Sequence, residues 1–121
     1  MLDANACIYL LTNAHSALTD RMSEQEAGEI AISSIAFAEV AMGSANGKPP
    51  APEILDAFLS EVPLLEFDEA AARAYSTLPF KRGRFDRLIA AHALSLSLTV
   101  ITTNLSDFAD VPGLKVENWT M

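Results

Sequence analysis

Residues 85–104 read FDRLIAAHALSLSLTVITTN, and this stretch indicates the fold more strongly than any other in the chain. From Asp86 onward, Leu, Ile and Ala recur at helical spacing and predict a well-buried helix. Residues 98–103 are rich in β-branched side chains and predict a strand, which Asn104 bounds. A buried helix followed at once by a strand is typical of a parallel sheet that is covered by helices.

The same alternation of helices and strands extends outward to both ends of the chain. Apolar spacing and capping residues predict further helices over residues 6–11, 14–26, 34–42, 52–62 and 69–78. Further strands are expected at Leu2 and over residues 29–33, 64–67 and 114–117. We expect Ser33 or Ser34 to cap the helix at 34–42 and Gly43 to end it, while Asp68 caps the helix that follows.

Short strands separated by helices imply an α/β fold with a central parallel sheet of four to five strands. Right-handed crossovers place helices on both faces, so we predict a three-layer α/β/α sandwich. The length of 121 residues, with 50% hydrophobic and 20% charged residues, suits a single domain over residues 1–121. This composition excludes a disordered or collagen-like chain.

The composition also excludes several classes of protein. No stretch approaches the ~18 uncharged apolar residues of a membrane span, and no basic segment with an apolar core opens the chain. We therefore expect a cytoplasmic protein that is neither secreted nor bound to a membrane. Cys7 is the only cysteine, which rules out an internal disulfide and a cysteine-based zinc site.

The charge distribution is uneven. Eight Lys and Arg residues face sixteen Asp and Glu residues, and the net charge of −8 argues against a protein that coats nucleic acid. Half of the cations nevertheless lie within residues 81–87, around Asp86; they are Lys81, Arg82, Arg84 and Arg87. Charge alone leaves open whether this cluster binds an anion or is a solvated loop.

Acidic and amide side chains follow the predicted strands or open the helices behind them. These residues are Asp3, Glu39, Asp86, Asn104 and Asp107. Because the carboxyl ends of parallel strands meet at one edge of the sheet, we expect these side chains to converge. Two carboxylates 4 Å apart repel by about 4 kcal/mol at an effective dielectric constant of 20. A divalent cation relieves that repulsion, and Mg²⁺ or Mn²⁺ prefers such oxygen ligands, so the sequence predicts a metal site.

Each of these acids also has an ordinary structural interpretation. Asp3 suits a turn, Asp86 suits a helix N-cap, and Asp107 suits a solvated turn. Glu39 is different because its neighbours in sequence are apolar, and a buried carboxylate without a partner is costly. Glu39 therefore carries the strongest indication of a functional site.

Several motifs in order connect the chain to a known family. They are LDAN at residues 2–5, ISSI at 32–35, AEV at 38–40 with Gly43, FDRLIAA at 85–91 with Ala93, ITTNLSDF at 101–108 and GLKVENW at 113–119. Together they cover nearly the whole length. On these residues the chain resembles a PIN-domain ribonuclease, specifically a VapC-like toxin of a type II toxin–antitoxin pair.

The resemblance implies roles for the acidic residues. Asp3, Glu39 and Asp86 would be the metal-binding acids of a nuclease site that uses Mg²⁺ or Mn²⁺. Either Asn104 or Asp107 would complete the catalytic set.

It also implies partners. The substrate would be RNA of the tRNA or rRNA class, the protein partner a VapB-like antitoxin, and the toxin a homodimer. We expect the RNA to be contacted by Asn5, Lys81, Arg82, Arg84 and Arg87.

Three other interpretations remain at the level of sequence. His15 and His92 would form the acid–base pair of a metal-independent ribonuclease. A receiver-like signalling domain that binds Mg²⁺ would need a phosphorylated Asp after a central strand, for which Asp68 is the candidate. The chain would otherwise be a catalytically silent interaction module. The apolar stripe of Leu55, Phe58 and Leu59 suits a partner surface but more commonly packs in a core.

Overall fold

The computed structural model describes residues 1–79 and 85–120. Its helices are α1 (Ala4–Leu11), α2 (Ser16–Ser23), α3 (Ser34–Ala45), α4 (Pro52–Glu61), α5 (Glu69–Ser76) and α6 (Phe85–Ser95). Its strands are β1 (Ile32–Ser33), β2 (Leu64–Leu65), β3 (Val100–Ile101) and β4 (Val116–Glu117). A short 3₁₀ helix spans Leu105–Asp107. The predicted order of helices and strands is therefore confirmed.

One residue joins the strands into a single sheet. β1 pairs with β2 and β3 pairs with β4, both in parallel. Leu2 lies between the two pairs and bridges in parallel to Ile32 on one side and to Ile101 on the other. The spatial order is thus β2, β1, Leu2, β3, β4, and the expectation that Leu2 is the remnant of a first strand is confirmed.

This strand order creates a switch point at Leu2. The chain moves from Leu2 to β1 and β2 on one side of the sheet, and then returns to build β3 and β4 on the other side. Crossovers in the two directions place helices on opposite faces, which confirms the three-layer α/β/α sandwich. In such sheets a crevice opens beyond the carboxyl ends of the strands at the switch point, and Asp3 lies at this place.

Polar residues at strand ends start the helices that follow. The side chains of Asp3, Ser33 and Asp68 accept hydrogen bonds from the amides of Ala6 (2.8 Å), Ile35 (3.0 Å) and Ala71 (3.0 Å), respectively. Each bond satisfies an amide that the first helical turn leaves without a partner. The predicted caps at Ser33 and Asp68 are confirmed, and Asp3 is a cap as well.

Some predicted boundaries are wrong. α3 continues past Gly43 to Ala45, because Gly43 keeps a helical conformation and the left-handed turn comes at Gly47 (φ 83°). α2 is shorter than the predicted helix over residues 14–26, and the strands have two residues each. Asp86 lies in the first turn of α6, which spans Phe85–Ser95.

The apolar stripe of α4 packs inside the protein. Leu55 and Phe58 are 4% and 8% exposed and belong to the core, and Leu59 packs against it. Burying such side chains stabilises the fold by about 1.5–3 kcal/mol each. The stripe is therefore not a partner surface. No helix in the described part of the chain is long and apolar enough to cross a membrane.

Candidate active site

Asp3 lies at the switch point of the sheet and is 5% exposed. Its backbone amide donates to the carbonyl of Ile101 (3.0 Å), which ties it to β3, and its carboxylate caps α1. Burial raises the pKa of Asp3, while hydrogen bonds from Thr102 and Ala6 oppose the rise. The negative charges of Asp86 and Asp107 raise its pKa further. These two aspartates therefore lie within electrostatic reach of Asp3.

Glu39 projects from the second turn of α3 toward the same place. Burial raises the pKa of Glu39 to about 7, and the negative charges of Asp86 and Asp3 contribute to the rise. Its Oε1 atom is buried and has no hydrogen-bond partner among the residues that the structure describes. An unpartnered buried carboxylate oxygen is costly, so a positive ligand would stabilise the site.

Electrostatic interactions link four acids from four separate parts of the chain. Asp3 follows Leu2, and Glu39 lies in the second turn of α3. Asp86 lies in the first turn of α6, and Asp107 ends the 3₁₀ helix. The charges of Asp86 and Asp107 raise the pKa of Asp3, and the charges of Asp86 and Asp3 raise the pKa of Glu39.

The side chain of Asn104 forms its hydrogen bonds within its own turn. It is exposed, and its Oδ1 accepts hydrogen bonds from the amide (3.3 Å) and the hydroxyl (2.6 Å) of Ser106. In this arrangement Asn104 caps the 3₁₀ helix. The negative charge of Asp107, three positions later, acts directly on Asp3.

The donor chemistry of the four acids fits a hard divalent cation, because every ligand offered is a carboxylate oxygen. The unpartnered Oε1 of Glu39 provides the observation that favours such an ion. Within residues 1–79 and 85–120, no three His, Cys, Asp or Glu side chains are close enough to hold a metal ion in their present conformations.

Arg87 differs from the expectation of an exposed basic cluster. Its side chain is 2% exposed, and its guanidinium forms an ion pair with Asp110. Arg87 shares a helical face with the fully buried Ala90 and Ala91, three and four positions later, and this face of α6 packs into the core. Lys81, Arg82 and Arg84 lie outside the described residues. Asn5 is exposed in the first turn of α1.

His92 has a structural role in the fold. It is 1% exposed, and its Nδ1 lies 2.8 Å from the hydroxyl of Ser33. The Ser33 oxygen also accepts from the Ile35 amide (3.0 Å), so this hydroxyl links the start of α3 to the ring. The other ring nitrogen donates to the backbone carbonyl of Glu66, and burial lowers the pKa of His92. Burial therefore favours the neutral ring, against the opposing effects of Asp68 and Glu66.

The competing mechanisms find little support in this geometry. His92 uses both ring nitrogens inside the core, and His15 packs edge-on against Tyr9 (5.0 Å between ring centroids), so the two histidines do not form an acid–base pair. Asp68 follows β2, which lies at the edge of the described sheet, whereas a receiver needs its phosphorylated Asp after a central strand.

Thr102 is a site residue that the sequence reasoning missed. It is 1% exposed, follows β3 directly and hydrogen bonds to the carboxyl of Asp3. The rule that polar residues follow strands would have found it, but the predicted strand ran on to residue 103. A strand that ends at Ile101 moves Thr102 into the crevice.

Comparisons with known proteins agree with the fold. The family model of the PIN domain matches residues 1–114. The chain is 30% identical over 129 residues to the tRNA(fMet)-specific endonuclease VapC of Shigella flexneri, covering 99% of this chain and 97% of that protein. It is 32% identical over 128 residues to the protein of the same name from Salmonella typhimurium, covering 98% and 96%.

Solved structures show the same similarity. The crystal structure of VapBC2 from Rickettsia felis bound to a promoter DNA fragment matches with a TM-score of 0.85 at 30% identity, covering 98% of this chain and 97% of the other. The family model spans residues 1–114, and the relatives align with nearly the full length of the chain. The chain therefore belongs to the PIN-domain family, and the relatives that it resembles are VapC ribonucleases.

Proposed function

We propose that this protein is the toxin of a type II toxin–antitoxin pair and cleaves RNA as an endoribonuclease. The observation that carries the proposal is the buried, unpartnered Oε1 atom of Glu39, which lies within electrostatic reach of Asp3 and Asp86. Similarity to VapC ribonucleases over nearly the full chain supports the same activity.

Within this proposal, Asp3, Glu39 and Asp86 hold Mg²⁺ or Mn²⁺, and Asp107 completes the acidic set. When bound, such an ion supplies an activated water and neutralises charge that develops on the phosphodiester. The amide of Ala6 and the hydroxyl of Thr102 orient the carboxylate of Asp3. Glu39, with a pKa of about 7, carries a proton part of the time at neutral pH and releases it when positive charge enters the site.

The proposed substrate is RNA of the tRNA or rRNA class. Two relatives, from Shigella flexneri and Salmonella typhimurium, are named for specificity toward tRNA(fMet). Since the whole chain has a net charge of −8, local groups must attract the RNA strand. We assign Asn5 to this task, together with Lys81, Arg82 and Arg84, while the burial of Arg87 suits a supporting role in the core.

A VapB-like antitoxin is the proposed protein partner. Structures that match this fold closely are VapBC complexes, including those from Rickettsia felis and Salmonella typhimurium. A homodimer and a location in the cytoplasm, where translated RNA is found, complete the proposal. Light scattering of the purified chain, alone and with the antitoxin, tests both assemblies.

The direct test is an RNA-cleavage assay with added Mg²⁺ or Mn²⁺, repeated with excess EDTA. We expect cleavage that EDTA abolishes and that Asp86→Asn lowers by about 100-fold or more, because an electrostatic contact to the reacting groups is lost. Asp56→Asn, on the exposed surface of α4, is the matched control and should cleave as the wild type does. A folded wild type that cleaves no RNA with either ion would instead support a silent interaction module.

A second comparison locates the fourth residue of the set. Asp107→Ala is expected to reduce cleavage more than Asn104→Ala, because Asp107 acts on Asp3 whereas Asn104 is engaged with Ser106. Equal losses, or a larger loss in Asn104→Ala, would assign the position to Asn104.

A further inference from the structure

A cavity of about 550 Å³ opens between α1, α3 and the segment that follows α3. We call it the Lys48 cleft and define it by six lining residues, Asn5, Ile8, Glu39, Met42, Asn46 and Lys48. Glu39 belongs both to the acidic site and to this cleft, so the cleft is continuous with the site. Its volume lies in the range of ordinary small-ligand sites.

The cleft contains a cation, Lys48, that forms no ion pair with any residue the structure describes. Elsewhere in the described structure, Arg21 pairs with Glu117 (3.4 Å), Arg73 pairs with Glu69 (2.8 Å) and Arg87 pairs with Asp110. No carboxylate among residues 1–79 and 85–120 lies within ion-pair distance of Lys48. In a chain with a net charge of −8, an unpaired ammonium beside the acidic site favours an anionic ligand there.

The backbone around Lys48 is fixed to the end of α3. The amide of Lys48 donates to the carbonyl of Gly43 (2.9 Å), and the amide of Asn46 donates to the carbonyls of Met42 and Gly43 (3.2 and 3.1 Å). The side-chain amide of Asn46 donates to Met42 as well (2.8 Å). These bonds fix the backbone of Lys48 beside the end of the helix that carries Glu39.

The rest of the cleft combines apolar and amide surface. Met42 is 70% exposed although its side chain is large and apolar, and Ile8 lies half-buried opposite it on α1. A polarisable thioether adapts to flat, apolar ligand faces. The amides of Asn5 and Asn46 add donors and acceptors of the kind that pair with the edge of an unstacked base.

We propose that the Lys48 cleft holds the RNA nucleotide next to the bond that is cut. Lys48 pairs with the phosphate of this nucleotide, Met42 packs against its base, and Asn5 and Asn46 contact the base edge. This assignment rests on the proposed ribonuclease activity. RNA is favoured over a protein segment because the unpaired cation and the continuity with the acids match a phosphodiester strand.

The test is the equilibrium binding of a fluorescently labelled single-stranded RNA, measured by anisotropy in EDTA over about 50 to 200 mM KCl. Lys48→Ala should weaken binding roughly fivefold at low salt. It should also reduce the slope of log affinity against log salt by roughly 0.7 to 1, the loss of one phosphate contact. Lys48→Arg should retain the slope, and Met42→Ala should weaken binding equally at every salt concentration.

Lys115→Ala is the matched control. Lys115 is also exposed and unpaired among the described residues, but it precedes β4 and so lies at the opposite end of the sheet from the acids. We expect wild-type affinity and slope in this variant. Thermal unfolding of each variant verifies that its fold is intact.

Two results would overturn the proposal. One is a Lys48→Ala slope equal to that of Lys115→Ala, which includes the case in which the wild type binds no RNA. The other is unchanged RNA binding in Lys48→Ala with a weakened complex with a VapB-like antitoxin, which would assign the cleft to a protein segment. Because binding is measured without cleavage, a failure of the ribonuclease proposal is seen separately, in the cleavage assay.

Discussion

Glu39 shows how a single residue reports on the whole site. Its pKa rises to about 7 because it is buried and because Asp86 and Asp3 repel its charge. A folded-state pKa above the unfolded value means that the folded protein binds the proton more tightly. The resulting stability is present at pH values below the unfolded value and is lost as the pH rises toward 7.

This reasoning predicts a pH-dependent difference between the wild type and Glu39→Gln. Without metal, the free energy of unfolding of the wild type should fall relative to that of Glu39→Gln between pH 5 and pH 8 (on the order of 1 kcal/mol after allowance for solvent screening). Urea denaturation in EDTA measures the difference. Glu61→Gln, at the exposed end of α4, is the control and should show no such trend. A constant difference for Glu39→Gln across this range would contradict the account.

Arg87 is buried, whereas its position in a run of cations predicts an exposed side chain. It belongs to a run of four cations, yet it lies on the buried face of α6 and pairs with Asp110, which is 23 positions away. Its Nη1 atom is buried without a hydrogen-bond partner among the described residues. The charge of Arg87 therefore depends on Asp110 for compensation.

Removing Asp110 should be more damaging than removing the pair. Asp110→Ala leaves a buried guanidinium without its carboxylate and should lower the free energy of unfolding by about 1–3 kcal/mol, since Asp110 itself is partly exposed. The double variant Arg87→Met/Asp110→Ala should recover part of that loss. Urea denaturation of both single variants and the double variant completes the cycle, and purely additive effects would refute the coupling.

At the scale of elements, the bond between Ser33 and His92 holds α3 and α6 together. Ser33 caps α3, which carries Glu39, and His92 lies two turns after Asp86 on α6. The edge of the His92 ring also contacts Phe67, 5.5 Å between ring centroids, beyond the end of β2. One buried contact thus fixes two of the helices that deliver acids to the site.

Ser33→Ala should therefore affect both stability and ion binding. The Nδ1 atom of His92 would lose its buried hydrogen-bond partner, at a cost of about 1–3 kcal/mol in the free energy of unfolding. The apparent affinity for Mn²⁺ should fall as well, because Glu39 and Asp86 are no longer held in register. Ser60→Ala, which removes an exposed hydroxyl on α4, is the control. Wild-type affinity for Mn²⁺ in a destabilised Ser33→Ala would show that the bond serves stability alone.

The elements were predictable where local chemistry decides them. Ser33 and Asp68 are caps in sequence and in structure, and Leu2 is a strand although it is a single bridging residue. The prediction that Gly43 ends α3 was wrong, because a glycine is tolerated within a helix when tertiary packing supports it. The pairing of Ser33 with His92, 59 positions apart, was not predictable, because nothing local selects that partner.

For the whole molecule, topology explains why the site exists. A sheet in the order β2, β1, Leu2, β3, β4 places its switch point at Leu2, and strand-end residues distant in sequence meet there. That rule predicts that Asp3, Glu39 and Asp86 lie close to one another. It does not predict the roles of Thr102 and Lys48, since they depend on where β3 ends and on how the chain folds back after α3.

The central claim is that Asp3, Glu39 and Asp86 together bind a divalent cation. Isothermal titration of Mn²⁺ into the wild type, Asp3→Asn, Glu39→Gln and Asp86→Asn tests it, with Asp56→Asn as the control. We expect saturable binding by the wild type and by Asp56→Asn, and an affinity at least about tenfold lower in each of the other variants. Equal Mn²⁺ affinity in all five proteins, or no binding by the folded wild type, would contradict the account.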